Sequence, residues 1–328
     1  MRVLFVTGGA GFIGSNFTKY FLKRNKDFIV VNMDKLTYAG NMNNIRELED
    51  SPRYHFIKGD ICNYELVNYV YRKYKPDFVI NFAAESHVDR SITHPSIFVE
   101  TNIAGTLTLL EGARHIWSRR NFRGNRFLQI STDEVYGSID NDRDYSMEDS
   151  CLLPNSPYSA SKAGADMMAR AFHQTYGLPV IITRCCNNYG PYQNTEKFIP
   201  KCITNALKDI PIPVYGDGAN TREWIHVLDH SVAVIRALFY GRPGEIYNIG
   251  TNEEISNIEL VRRILKSMNK PEDLIKYVPD RPGHDRRYAL NSYKSRNALN
   301  WSPKYRLEDG LNETTLWYTE NRSWWGEK

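Results

Sequence analysis

Short apolar runs and amphipathic stretches alternate through the first half of the chain. Residues 3–6, 28–33, 54–57, 78–82, 127–130 and 180–183 are brief runs rich in branched and aromatic side chains, and they predict strands. Between them, residues 13–23, 65–74, 97–114 and 159–176 carry apolar positions at helical spacing. Strand and helix in alternation predict an α/β fold with a parallel, doubly wound sheet covered by helices on both faces. After about residue 184 the rhythm changes. Prolines and glycines punctuate shorter elements at Tyr189-Gly190-Pro191, Pro211-Ile212-Pro213, Tyr215-Gly216-Asp217-Gly218 and Arg281-Pro282-Gly283. That texture predicts a smaller, loop-rich α/β lobe able to close over a ligand. The expected division is 1–183 for the large unit and mainly 184–328 for the lobe, with part of 222–250 returning to the large unit.

Composition narrows the class without naming it. Of the 328 residues, 41% are apolar and 24% charged, as in ordinary globular proteins. No apolar run approaches membrane-spanning length, and the first residues enter a strand rather than a signal peptide, so a cytoplasmic protein with no membrane association is expected. The net charge of +4 is too small to argue for nucleic acid. Arg119, Arg120, Arg123 and Arg126 read as cations following a helix C-terminus, where the helix dipole favours them. The five cysteines (Cys62, Cys151, Cys185, Cys186 and Cys202) lack zinc-site spacing, and no metal is expected.

The first candidate chemistry lies in Thr7-Gly8-Gly9-Ala10-Gly11-Phe12-Ile13-Gly14, between a predicted strand and a predicted helix. Glycines there let the backbone turn tightly and approach a pyrophosphate, whose charge the helix N-terminus attracts. Asp34 follows the second strand, 20 residues beyond Gly14. A carboxylate at that place accepts hydrogen bonds from ribose hydroxyls and repels a 2′-phosphate, which favours NAD over NADP. Asp60, after the third strand, is placed to reach the adenine edge. The large unit therefore reads as an NAD-binding Rossmann-type domain.

A second group gathers further along. Tyr158 and Lys162 are four apart on a predicted helix and share one face. A phenol is a poor base at neutral pH, but a nearby ammonium and a cationic nicotinamide would lower its pKa enough to take a proton from a sugar hydroxyl. Ser131-Thr132-Asp133-Glu134 ends the fifth strand, at the edge where open α/β sheets place their ligands. Of two adjacent acids, one can stay protonated while the other ionises, which supplies an acid and a base together. Plain alcohol oxidation needs no such pair. Hydride transfer combined with acid–base chemistry on one sugar suggests dehydration through a temporarily oxidised intermediate.

Eight segments carry a resemblance that spans nearly the whole chain. They are TGGAGFIGSNF, DKLTYAGN from Asp34, AAESHVDRSI from Ala83, STDEVYG from Ser131, PYSASKA from Pro157, NNYGPYQ from Asn187, REWIHVLDH from Arg222 and DRPGHDRRYAL from Asp280. The chain resembles the dTDP-glucose 4,6-dehydratases of the extended short-chain dehydrogenase/reductase superfamily. The Thr132-Asp133-Glu134 triplet marks that branch, since epimerase relatives lack the acid pair. The resemblance implies that Tyr158 assists oxidation of glucosyl C4, with Thr132 binding the C4 oxygen and Lys162 holding the nicotinamide ribose. Glu134 removes the C5 proton, Asp133 protonates the departing C6 hydroxyl, and hydride returns from the cofactor to C6. It also implies cofactor contacts at Phe12, Ile13, Lys35, Thr37, Ile61, Ala83 and Ala84. Substrate contacts are implied at Glu85 and Ser86, at the diphosphate positions Asn187 and Arg222, and at Asn257, Arg281 and His284. A strand-like segment from Lys197 through Phe198 and Ile199 to Pro200 is expected beside the base. Cys186, Asn194, Thr195 and Asn291 depart from the usual pattern at no catalytic position. The resemblance implies a homodimer joined by a four-helix interface, for which the small and apolar positions on helices 97–114 and 159–176 are suited. Thymine and uracil differ by one methyl group, so a UDP- or CDP-glucose dehydratase stays open, as does a catalytically silent NAD-binding regulator.

Overall fold

Strands β1 (Arg2–Thr7), β2 (Phe28–Asp34), β3 (Tyr54–Lys58), β4 (Phe78–Asn81), β5 (Arg126–Thr132) and β6 (Val180–Cys185) form one parallel sheet in this computed structural model, which describes residues 1–139, 141 and 144–326. Their spatial order is 3-2-1-4-5-6, and a seventh strand, Ile246–Ile249, pairs parallel with β6. The chain order reverses between β1 and β4, so their C-terminal ends flank the crevice where such sheets bind ligands.

Both faces of the sheet are apolar because successive strand residues point to opposite sides. Leu4, Val6, Phe78, Ile80, Leu128 and Ile130 pack on one face with helices α1 (Phe12–Arg24) and Val227–Tyr240. Phe5, Val79 and Phe127 pack on the other face with α2 (Tyr64–Tyr74), Thr106–Trp117 and Pro157–Tyr176. The helix expected across 97–114 is interrupted. After the short helices α3 (Val88–Thr93) and α4 (Pro95–Phe98), the chain makes a wide π turn at Val99–Gly105 before α5 (Thr106–Trp117) begins. The turn carries Asn102 inward, where its amide accepts from Glu85 N at 2.9 Å and donates to Glu85 O at 3.0 Å. A local tertiary contact thus overrides the helical repeat. The following helix, α6 (Pro157–Tyr176), starts at a capping box between Ser156 and Ser159, with Pro157 in the first turn where its missing N–H costs nothing.

Beyond residue 185 the chain builds a second body. Strands β7 (Asn187–Tyr189), β9 (Thr221–His226) and β11 (Glu254–Ser256) form a three-stranded sheet, and β8 (Ile212–Tyr215) pairs with β12 (Ile275–Val278). Helices α7 (Phe198–Leu207), α9 (Asn257–Ser267) and α11 (Leu307–Glu320) close its own apolar core. Helix α8 (Val227–Tyr240) and strand β10 (Ile246–Ile249) return to the large sheet. No helix among the described residues is long and apolar enough to cross a membrane.

Candidate active site

A cavity of about 500 Å³ runs from the C-terminal ends of β1 and β4 to the second body. Its nucleotide end is shaped by the glycine turn. Gly8 has φ +72°, and a Cβ there would meet Ala83 N at 2.6 Å, so only glycine lets β1 and the chain after β4 approach so closely. Gly11 caps α1 without a side chain and the first turn carries no acid, which leaves the N–H groups of Phe12, Ile13 and Gly14 for an incoming anion. Asp34 accepts from Ala10 N at 2.9 Å and from Leu36 N at 2.8 Å. Burial raises its pKa above the usual carboxylate range, and those N–H groups only partly oppose the rise. Lys35 pairs with Asp60 at 2.7 Å. Burial works to raise Asp60, but the Lys35 ammonium and the Cys62 N–H outweigh it and hold Asp60 below its ordinary value. Thr37, Ile61, Ala83 and Ala84 complete this end of the wall. The turn, the unspent N–H groups and the carboxylate fit a dinucleotide.

At the middle of the cavity, the end of β5 delivers Thr132, the 3-10 turn after it (Asp133–Tyr136) delivers Glu134, and α6 delivers Tyr158 and Lys162. The Thr132 hydroxyl donates to Asp133 Oδ1 at 3.2 Å and accepts from Glu134 N at 3.3 Å. Lys162 Nζ donates to the Ile130 carbonyl at 2.6 Å. Two expectations need correcting here. Asp133 does not line the cavity, since its carboxyl is buried behind Thr132 with 2% exposure. The lowered phenol pKa is also absent from the protein's own groups. Burial, with Glu134, Cys185 and Asp133, pushes Tyr158 far upward, because the Lys162 cation is itself desolvated and turned to a backbone carbonyl. A cationic nicotinamide is left to supply the opposing charge. The acids differ as two adjacent carboxyls should. Burial, Glu134 and Glu223 push Asp133 well above the carboxylate range, while for Glu134 burial is opposed by Arg281, Arg222 and Lys197.

The second body supplies the far wall. Arg222 in β9 stacks on the Tyr288 ring at 4.2 Å and donates to Asp285 O at 2.7 Å, which fixes its guanidinium beside the cavity. Lys197 Nζ donates to Ser86 O at 2.7 Å, His284 pairs with Asp280 at 2.6 Å, and Arg281 reaches Asp89 at 3.4 Å. Glu85, Ser86, Asn187, Phe198 and Asn257 share the same wall. The strand-like segment expected at 197–200 is instead the start of α7. Ile199 and Pro200 lie inside and do not line the cavity, because the apolar face of α7 turns them into the second body. Pro200 is tolerated in the first turn, where no intrahelical N–H is needed.

Residues 5–314 match the family described as GDP-mannose 4,6 dehydratase. The chain is 48% identical to a dTDP-glucose 4,6-dehydratase of Neisseria meningitidis, over 99% of this chain and 95% of that protein. It is 49% identical to one from Xanthomonas campestris, with the same coverage. The crystal structure of DesIV, a dTDP-glucose 4,6-dehydratase from Streptomyces venezuelae with NAD bound, superposes with a TM-score of 0.94 at 48% identity over 99% of both chains. The chain belongs to the dTDP-glucose 4,6-dehydratase family.

Some residues in and around this family member's cavity carry only a faint signal in the sequence. Asp89 also receives the Tyr215 hydroxyl at 3.2 Å, and Glu196 receives Arg90 at 3.0 Å, so helix α3 is tied to the second body at two places. These partners are more than a hundred positions apart, and only the charge of the His87-Val88-Asp89-Arg90 stretch hinted at them. The buried pair Asp166–Arg184, at 2.9 Å behind the catalytic strand, was also missed. Its one signal was Asp166 four residues after Lys162. Among the described residues no three His, Cys, Asp or Glu side chains gather as metal ligands.

Proposed function

We propose that the protein removes water from dTDP-glucose to give dTDP-4-keto-6-deoxyglucose, the chemistry of deoxysugar (rhamnose-type) biosynthesis. The observation that carries this reading is one cavity with a glycine turn and Asp34 at one end and Tyr158, Lys162, Thr132 and Glu134 together at its centre. The peptide N–H groups at the start of α1 hold the NAD diphosphate, and Asp34 holds a ribose. When bound, NAD supplies a hydride acceptor that later returns the hydride, and a positive charge that opposes the effect of burial on Tyr158.

Tyr158 takes the proton from the C4 hydroxyl, and Thr132 binds the C4 oxygen. The ketone formed at C4 acidifies C5, whose proton Glu134 removes as the ionised member of the pair. Asp133, whose carboxyl burial pushes well above its ordinary value, provides the proton with which the C6 hydroxyl leaves as water. Glu134 then returns a proton to C5. Arg222 and Arg281 suit the diphosphate, since a guanidinium offers paired donors to phosphate oxygens. Asn187 joins Arg222 at the diphosphate, and Asn257, Lys197 and His284 contact the rest of the nucleotide.

A homodimer in the cytoplasm is part of the same proposal. Ile97, Val99 and Met167, on the helices expected to pair, are exposed apolar side chains, which supports a covered face there. Light scattering should find a dimer, and a concentration-independent monomer would refute it.

The decisive experiment follows individual hydrogens. Dehydration of dTDP-glucose deuterated at C4 should yield product deuterated at C6, with C5 labelled from heavy water and no crossover between substrate molecules of different mass. An epimerase returns the C4 label to C4, and an NAD-binding regulator moves nothing. Running UDP- and CDP-glucose alongside decides the base. Loss of the C4 label to solvent refutes the closed cycle.

A further inference from the structure

The short turn at Arg322–Trp325 touches the cofactor loop from behind. Within it, Trp324 donates its indole N–H to Asn44 Oδ1 at 2.9 Å, across 280 positions of sequence. Asn44 is 2% exposed, and its amide N–H₂ donates to the Ala10 carbonyl at 2.9 Å. Ala10 lies between Gly8 and Gly11, and its own N–H donates to Asp34 Oδ2 at 2.9 Å. A continuous run of hydrogen bonds therefore leads from the carboxy-terminal indole, through one buried amide, to the turn and the carboxylate at the nucleotide end of the cavity.

The two ends of an asparagine amide are nearly alike in shape, so packing alone does not choose which points at Ala10. The indole N–H makes that choice. With a donor fixed on Oδ1, only the orientation that aims the N–H₂ at the Ala10 carbonyl satisfies both partners. The indole itself is held by aromatic neighbours, with Trp317 at 5.0 Å and Tyr192 at 6.0 Å between ring centroids. Tyr192 lies in turn under Lys19 of α1, whose Nζ is 3.4 Å from the ring centroid. Both bodies of the molecule are thus joined at the back of the glycine turn.

We infer that Trp324 is a positioning residue for NAD, acting through Asn44 to hold the Gly8–Gly11 turn in the shape that binds a diphosphate. This rests on the reading that NAD occupies the glycine turn. The Trp324→Phe variant keeps an aromatic ring in the cluster but removes the N–H, leaving Asn44 Oδ1 a buried acceptor without a donor. A lost hydrogen bond with a stranded partner corresponds to about 5- to 30-fold in a binding constant.

The test uses full-length protein stripped of nucleotide, with NAD and thymidine diphosphate as separate probes. Trp324→Phe should weaken NAD binding about 5- to 30-fold. Thymidine diphosphate affinity should stay close to wild type, while the thermal midpoint of the NAD-free protein falls by a few degrees at most. Amide exchange across residues 9–14 should quicken before any NAD is added. Asn44→Ala should weaken NAD binding at least as much, and the double variant should bind no worse than Asn44→Ala alone, because both changes break one path. Unchanged NAD affinity in Trp324→Phe, additive losses in the double variant, or an equal loss for thymidine diphosphate would each overturn the assignment. Failure of the wild-type protein to bind NAD overturns the cofactor reading and this assignment with it, whereas wild-type binding with an unaffected variant overturns this assignment alone.

Discussion

Replacing Glu134 by Gln keeps the size of the side chain and removes the carboxylate proposed to accept the C5 proton. Loss of a positioned base costs about 100- to 10,000-fold, which is about 2.7–5.5 kcal/mol on the barrier at 1.36 kcal/mol per tenfold. The structure places this variant in the upper half of that range, because no neighbour can take over. Burial and adjoining carboxylates push the Asp133 carboxyl well above its ordinary value, burial pushes Tyr158 far upward, and the Lys162 amine is engaged by the Ile130 carbonyl. A loss of about 1,000-fold or more in C5 proton removal is therefore expected. The assay is rapid-quench turnover of dTDP-glucose in heavy water, with C5 labelling read by NMR, alongside the kinetic isotope effect of C4-deuterated substrate. Wild type is expected to show a C4 isotope effect above unity. In Glu134→Gln the C4 isotope effect should fall toward unity as C5 proton removal becomes limiting. The acid limb of the pH–rate profile should also change, since the proposed mechanism needs Glu134 ionised and burial raises its pKa above the ordinary value. C5 labelling at the wild-type rate, or an undiminished C4 isotope effect, would refute the assignment of Glu134 as the base.

Asp133→Asn should instead slow loss of the C6 hydroxyl, about 100-fold or more, while C5 labelling in heavy water continues; arrested C5 exchange would contradict this division. Asp166→Ala leaves Arg184, which is 1% exposed, without its carboxylate partner and should cost about 3–5 kcal/mol of stability; an unchanged urea midpoint would contradict it. His230 is fully buried, and burial holds its pKa down to about 4 from an ordinary 6.5. The unfolded chain therefore binds a proton below pH 6.5 that the folded chain refuses until about pH 4, so stability falls as pH falls through that window. The advantage of wild type over His230→Gln in urea unfolding should shrink by about 3 kcal/mol between pH 7 and pH 4; a constant difference would show that His230 does not titrate in this way.

Local sequence determined the large sheet, because its strands are short apolar runs whose two faces are both buried and whose crossovers are helices. The glycine turn was equally legible, since Gly8 and Gly14 are demanded by backbone approach rather than by any distant side chain. Tyr158 and Lys162 were legible because helical geometry alone puts them on one face, and Asp34 because it ends a strand that must lie beside β1.

Tertiary structure decided what depends on contacts between distant segments. Nothing local says that the helix near residue 100 opens into a π turn, because the reason is Asn102 bonding to Glu85 after β4. The motif brought Asp133 and Glu134 together as a pair, but their different environments come from what surrounds them: Glu223 on one side, and Arg281, Arg222 and Lys197 on the other. The resemblance implied a strand-like segment at 197–200, yet with Ile199 buried in the core of the second body the stretch begins a helix. The same holds for the link from Trp324 to Ala10. Periodicity and motif spacing report what a residue does within a turn or two of itself. Burial, pairing and charge balance belong to neighbours that only folding brings within a few ångströms.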